Sequence, residues 1–407
     1  MLHGAPSAYC FGRRTAELSR WTIPGTRSFS RSSSSLRDER TSTSLCGLRT
    51  RSREDGRRYP EGVIAICKTR PEPGVDLVEV EEPSVRPGCV KIRVEHGSVC
   101  GTDLHISNWD AWSSRRMKLP RLIGHEFCGT ISEVGEGVVG RKVGDFVASE
   151  SHIVCGHCEQ CLHGQGHVCV NTVILGVDVD GGFAPYAVVP EQNARLTPSS
   201  VPRNVASLQD ALGNAVHTVM AGEVEGRTIL ITGLGPIGLF AVAISKALGA
   251  KRVVGTEISP YRIALAERLG IDTVLNPGKE DVDGALCKMF PGGVDATLEM
   301  SGHPSSLSLA VQHTRPGGRI SLLGVFNSPE QTLDINSVIF KGLDVQGIVG
   351  RRLWETWDKM AWLLTEKGLD VTPVVTHEMP FDQINEAMDL MKAGQAGKIV
   401  LDFTTAR

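Results

Sequence analysis

The sequence predicts two folded units of different class: an irregular, barrel-like β domain followed by a doubly wound parallel α/β sheet. Three observations predict this. Between about residues 60 and 214, short apolar runs are broken repeatedly by Pro and Gly. After Glu225-Gly226, β-branched apolar runs alternate with segments of helical spacing. Between the first such run and the first such helix lies Gly233-Leu-Gly235-Pro-Ile-Gly238, a glycine-rich turn.

In chain order, Gly62-Val-Ile-Ala-Ile66 and Asp76-Leu-Val-Glu-Val80 read as short strands, and Val90-Lys-Ile-Arg-Val94 alternates as a half-buried strand should. Thr130–Val134 and Asp145–Ala148 continue the β pattern. The parallel sheet starts with Thr228-Ile-Leu-Ile-Thr232, a continuous apolar run suited to burial on both faces. A helix over Pro236–Leu248, a strand over Arg252–Thr256 and a helix over Tyr261–Leu269 follow. Asp272–Leu275, Val294–Leu298, Arg319–Leu323 and Asp344–Ile348 supply the remaining strands. A helix over Leu353–Lys367, an extended piece at Met379–Phe381, a helix over Ile384–Ala393 and a strand over Lys398–Asp402 close the chain. The expected units are therefore 1–59, 60–214, 215–352 and 353–407, the last returning to the β domain.

The net charge of −3 conceals an asymmetry. Residues 1–60 carry 12 Arg, no Lys and 5 acids, whereas the rest carries 31 basic and 41 acidic residues. So acidic a body argues against nucleic acid as a partner. No run of about 18 apolar residues suggests a membrane span. The Ser/Arg-rich segment 1–59 is expected to be disordered, and its stretch 8–23 has the pattern of a basic amphipathic helix. That composition suits a mitochondrial transit peptide, with a cytoplasmic protein as the alternative.

The chemistry-bearing motifs fall into three groups. The glycines at 233, 235 and 238 allow a tight turn, close approach to a pyrophosphate and close helix–strand packing. Glu257 ends the next strand, where its carboxylate can bond ribose hydroxyls and repel a 2′-phosphate. NAD is therefore the expected cofactor. Second, Cys155, Cys158, Cys161 and Cys169 offer four thiolates within fifteen residues. That set suits a closed structural zinc site, with iron–sulfur as the alternative. Third, Cys100-Gly-Thr102-Asp-Leu-His105 and Gly124-His125-Glu126 offer metal ligands and proton carriers. Singly, each residue fits an ordinary core cysteine or surface histidine. Beside a hydride acceptor they suit a catalytic zinc held by Cys100 and His125, with Glu126 adjacent. Thr102 and His105 are placed to carry a proton. Asp210, at the junction of the two domains, is placed to face the metal or to steer that relay.

These motifs resemble those of the zinc-dependent medium-chain dehydrogenases, whose two units are a GroES-like barrel and a Rossmann domain. Within them the chain is similar to the threonine-oxidising branch. That narrower similarity is carried by Asn108–Ser113, Gly213–Thr218, Glu299–Gly302, Phe340–Leu343, Gly350-Arg351 and Glu355–Met360. The resemblance implies oxidation of L-threonine to 2-amino-3-oxobutanoate with NAD, one catalytic and one structural Zn2+, and a homotetramer. It implies cofactor contacts at Ile237, Glu257, Arg262, Leu323, Gly324, Val325, Ile348 and Val349. It also implies Cys100, His125 and Glu126 as catalytic-zinc ligands, Thr102 and His105 as the relay, and Asp210 as an acid beside the metal. A polyol or secondary-alcohol dehydrogenase and a silent NAD-binding homologue are the alternatives.

Overall fold

The computed structural model describes residues 62–406. The expected disordered extension, the helix over 8–23 and the transit peptide lie outside the described residues.

The strand Cys89–Ser98 organises the β domain. Val90, Ile92 and Val94 point into the core, while Arg93 between them is exposed, as a pleated strand with one covered face requires. It pairs antiparallel with Phe127–Val134 and Tyr186–Pro190, and its far end pairs with the last strand, Lys398–Asp402. The seven-stranded sheet is completed by Phe146–Ser149, Ala194–Leu196 and Val375–Pro380, and a three-stranded sheet formed by Asp76–Val80, Val63–Lys68 and Arg121–Leu122 accompanies it. The two-residue strands His152–Ile153 and Val173–Ile174 pair at the base of the four-cysteine lobe.

The second sheet is six-stranded and parallel throughout. Its order is Thr273–Leu275, Arg252–Thr256, Thr228–Thr232, Val294–Glu299, Thr314–Leu322, Asp344–Gly347. Strand order reverses between Thr228–Thr232 and Val294–Glu299. The crevice at such a switch point is where open α/β sheets bind ligands.

The expected elements form, with three local differences. Residues 60–214 are not purely β: helices span Gly101–Asn108, Ala111–Arg116 and Arg203–Ser207. Their apolar residues are too few and too scattered to give a clear helical period. A further helix, Gln209–Val219, runs straight across position 214 and is buried nearly all round. The strand expected from Arg319 starts at Thr314, passing through Pro316-Gly-Gly318, residues that ordinarily punctuate strands.

One apolar cluster joins the two sheets. It runs from Cys128 and Ala148 through Leu208, Leu212 and Val216 to Ile229, Leu239 and Phe240, and includes Trp357 and Met360. At its margin sits Arg351, only 1% exposed. Its guanidinium meets Glu150 on the β-domain side, with Nε to Oε2 at 2.7 Å, and donates to Ser151 Oγ at 3.0 Å. It also lies 2.9 Å from Asp210 Oδ1 and bonds Asn214 Oδ1 at 3.1 Å, both on the Gln209–Val219 helix. Trp357 Nε1 gives Glu150 Oε2 a further bond at 2.7 Å.

Removing one partner of a buried ion pair strands the other charge, at about 3–5 kcal/mol. Arg351→Met leaves both Glu150 and Asp210 without their cation, so the variant is expected to unfold at lower denaturant concentration by about that free energy. A chemical-denaturation curve matching the parent within error would show that the guanidinium does not hold the joint.

Candidate active site

Cys100 sits at the N-terminal cap of the Gly101–Asn108 helix, where its amide donates to Asp103 Oδ2 at 2.9 Å. His125 and Glu126 lie between the strands Arg121–Leu122 and Phe127–Val134. The preceding Gly124 has φ +92°, and a Cβ there would lie 2.2 Å from the Phe183 ring. Only glycine lets the chain pass that ring and deliver His125. One donor atom each from Cys100, His125 and Glu126 lies within 4.8 Å of the others.

The cluster is electrostatically unfinished. Nδ1 of buried His125 and Oδ1 of buried Asp103, 3.8 Å apart, have no hydrogen-bond partner among the described residues. A buried polar atom without a partner is costly. Burial alone would lower the His125 pKa, but Cys100, Asp103 and Glu126 outweigh it and lift it to about 10. The donors thus form a negative pocket that attracts a cation, which fits zinc with its preference for Cys, His and carboxylate ligands. Glu126 would be pushed up by burial, yet Lys398 and His125 hold it below the ordinary carboxylate range. Lys398 Nζ meets Glu126 Oε2 at 2.5 Å and donates to the Val99 carbonyl at 3.0 Å. Ser98 Oγ also donates to Glu126.

Thr102 and His105 lie on the same short helix, three residues apart and so on neighbouring faces. Thr102 Oγ1 is 3.8 Å from Cys100 Sγ. His105 is exposed, and its Nδ1 is 2.5 Å from Asp110 Oδ2. Asp110 in turn caps the Ala111–Arg116 helix through the Trp112 and Ser113 amides, both at 3.0 Å. Its slight burial would raise its pKa, but the Ser113 and His105 bonds bring it down to about 2, so it stays ionised and fixes the imidazole. Asp210 is not in the three-donor cluster. Its Oδ1 accepts from the Ser151 amide at 2.9 Å and pairs with Arg351.

The four-cysteine lobe comes together as the spacing predicts. All four sulfurs lie within 4.8 Å of one another, and none of these cysteines is in a disulfide. Cys169 Sγ is 3.6 Å from Cys155 Sγ and 3.7 Å from Cys158 Sγ. Four thiolates at zinc's usual bond length of about 2.3 Å sit roughly 3.8 Å apart at tetrahedral angles. The Cys158 amide points at Cys155 Sγ (3.4 Å), as does the Asn171 side chain (3.5 Å). These donors, Asn171 first, lower the Cys155 thiol to about 5. Burial and the neighbouring Cys158 raise Cys161 to about 12. Such a set gains from a shared dication.

At the glycine turn, Gly233 has φ +85° and a Cβ on Gly238 would lie 2.1 Å from the Gly233 carbonyl oxygen, so strand and helix meet closely. A Cβ on Gly235 would meet nothing within 4 Å. That leaves an open face at the N-terminus of the Pro236–Ala247 helix, which begins with Ile237 as its second residue. Glu257 accepts from the amides of Leu234 (3.0 Å), Ile258 (2.9 Å) and Ser259 (3.0 Å), with Arg262 Nη1 at 3.9 Å. Leu323–Val325 and Ile348-Val349 leave the C-terminal ends of two adjacent strands. Val325 is almost wholly exposed and Val349 half so, while Ile348 is buried. The dinucleotide thus fits the fixed carboxylate and the open glycine face.

Sequence reasoning missed Lys398, Ser98, Asp110, Glu150 and the part of Arg351 in the joint. Only Asp110 gives a local signal, as an Asp three residues before Ser113 at a helix start. Lys398 reaches Val99 across nearly the whole folded chain, and nothing in its neighbours announces that.

Residues 86–199 match the alcohol dehydrogenase GroES-like domain, and residues 236–366 match the zinc-binding dehydrogenase domain. The chain is 49% identical over 343 residues to the L-threonine 3-dehydrogenase of Pyrococcus furiosus, covering 84% of this chain and 98% of that one. Among solved structures, 2R,3R-butanediol dehydrogenase from Bacillus subtilis matches with a TM-score of 0.75 and 28% identity, covering 84% of this chain and 99% of that one. An E. coli CFT073 alcohol dehydrogenase complexed with NADH matches with a TM-score of 0.77 and 29% identity, covering 84% and 100%. On two domain matches and near-complete coverage of a relative half identical in sequence, the chain belongs to the zinc-dependent medium-chain dehydrogenase family.

Proposed function

We propose that this zinc- and NAD-dependent dehydrogenase oxidises the secondary hydroxyl of L-threonine, giving 2-amino-3-oxobutanoate, NADH and a proton. The near-full-length identity to a threonine dehydrogenase carries the substrate. The unfinished donor cluster of Cys100, His125 and Glu126 carries the chemistry. Cys100, His125 and Glu126 would hold a zinc ion whose Lewis acidity would make the substrate hydroxyl more acidic, and the glycine turn with Glu257 would hold NAD as the hydride acceptor.

The chain's own groups do the rest. Thr102 accepts the hydroxyl proton and passes one on to His105. The ionised Asp110 holds the His105 Nδ1 proton, which leaves Nε2 as the acceptor on an exposed ring that can release the proton to water. Lys398 balances the charge of Glu126 and keeps its carboxylate ionised beside Cys100 and His125. Asp210, tied to Arg351 and the Ser151 amide and interacting electrostatically with His125, would stay outside the ligand set. Glu257 presents a fixed carboxylate where a 2′-phosphate would fall.

A butanediol-type activity is the second reading, favoured by the structural match to 2R,3R-butanediol dehydrogenase. A homo-oligomer is also proposed. The sheet's edge strand Asp344–Gly347 is exposed beside Phe340 at 85% and Ile339 at 64% exposure, surfaces that a second copy would cover. Light scattering is expected to give a multiple of the chain mass, and a monomer would refute this.

Substrate-dependent NADH formation separates the two readings. L-Threonine is expected to support turnover, and sorbitol, xylitol and 2,3-butanediol to be poor. Polyol turnover without threonine turnover would overturn the proposal. Cys100→Ser is expected to abolish turnover while NADH fluorescence titration still reports binding. Glu257→Ser is expected to lower the ratio of kcat/KM with NAD to that with NADP by about tenfold or more, a loss of about 1.4 kcal/mol of discrimination. An unchanged ratio would remove Glu257 from cofactor choice.

A further inference from the structure

The nucleotide-binding domain carries a third convergence of metal-type donors, distant in sequence from both zinc motifs. Asp283 and Cys287 lie four residues apart on the helix Val282–Met289, so they share one face. His313, the last residue of the helix Pro304–His313, approaches that face. Its Nε2 is 2.8 Å from Asp283 Oδ1. One donor atom from each of the three lies within 4.8 Å of the others. We propose that Asp283, Cys287 and His313 form a third site for a divalent transition metal ion of the zinc class.

The donor chemistry narrows the ion. A thiolate, an imidazole and a carboxylate together select zinc or cobalt over magnesium or calcium, which take oxygen ligands. The geometry needs little adjustment. Ligands on a tetrahedral zinc at about 2.0–2.3 Å stand roughly 3.3–3.8 Å apart. The Asp283–His313 contact must open by a few tenths of an ångström, and its carboxylate is half exposed and free to shift. His313 is buried, and Cys287 is half-buried. The exposed side of Asp283 leaves room for water in the fourth position.

The placement gives the ion a structural consequence. The two helices flank the strand Val294–Glu299 in sequence, and His313 leads directly into the strand Thr314–Leu322. Those strands end in the Glu299–Gly302 and Leu323–Val325 turns at the candidate nucleotide site. Metal bound to Asp283, Cys287 and His313 would cross-link the helices that support both turns, without touching the reacting groups.

The test compares the full-length, zinc-loaded enzyme with Cys287→Ser and, independently, Asp283→Asn, whose side chain is exposed and tolerates change. Zinc content is measured after equilibration in excess zinc and gel filtration. The parent is expected to hold one equivalent more than either variant, with turnover unchanged in all three. With excess cobalt in place of zinc during the equilibration, the parent is expected to give a near-ultraviolet thiolate-to-cobalt band more intense than that of Cys287→Ser. Equal metal content in parent and variants, or a cobalt band unaffected by Cys287→Ser, would overturn the site. Because the readout is a difference between proteins sharing the Cys100 and Cys155 sites, it does not depend on what those sites bind.

Discussion

The Arg351 guanidinium is the contact on which the arrangement of this molecule turns. It follows the last strand of the parallel sheet, yet it is buried against Glu150 of the β domain and Asp210 of the helix that crosses between the two. Burying a charge in a low-dielectric interior is expensive unless it is met closely on several sides. Burial would lower the Arg351 pKa, but Asp210 and Glu150 raise it beyond its ordinary value, so the cation is fixed. The same pairing pulls Glu150 well below the carboxylate range against its own burial. An apolar cluster shared by both sheets supplies the adhesion at this joint, and the ion pairs supply its register.

That register has a chemical consequence. Asp210 is the acid that could have competed with Glu126 for a metal at Cys100 and His125. Its carboxylate is engaged by Arg351 and the Ser151 amide, and it lies outside the Cys100, His125 and Glu126 donor group. Glu126 is the carboxylate within that group, steadied by Ser98 and by Lys398 from the final strand. Lys398 would lose its proton more readily through burial, but Glu126 and Cys100 raise its pKa, so it remains a cation. The end of the chain thus completes the site opened near its beginning.

Legibility in the sequence followed the range of the physics. Gly233–Gly238, Cys155–Cys169 and Gly124–Glu126 are local patterns: each needs a turn, a ligand spacing or a close approach that a few adjacent residues determine. The parallel strands were equally legible, because burial on both faces leaves a continuous apolar run such as Thr228–Thr232. The helices at Gly101–Asn108 and Ala111–Arg116 were not, since tertiary packing and caps such as Asp110 decide them, not periodicity. Lys398, Arg351 and Glu150 were invisible as partners. Their contacts join residues some two to three hundred positions apart, and an isolated Lys or Arg in a strand or loop reads as a surface charge.

The most direct measurement is an anomalous-scattering map at the zinc edge from crystals of the NAD-bound, zinc-loaded enzyme. A strong peak ligated by Cys100, His125 and Glu126 is expected, with Arg351 still bonded to Asp210 and Glu150. A peak ligated by Asp210 with Arg351 released, or no peak at Cys100, would contradict it.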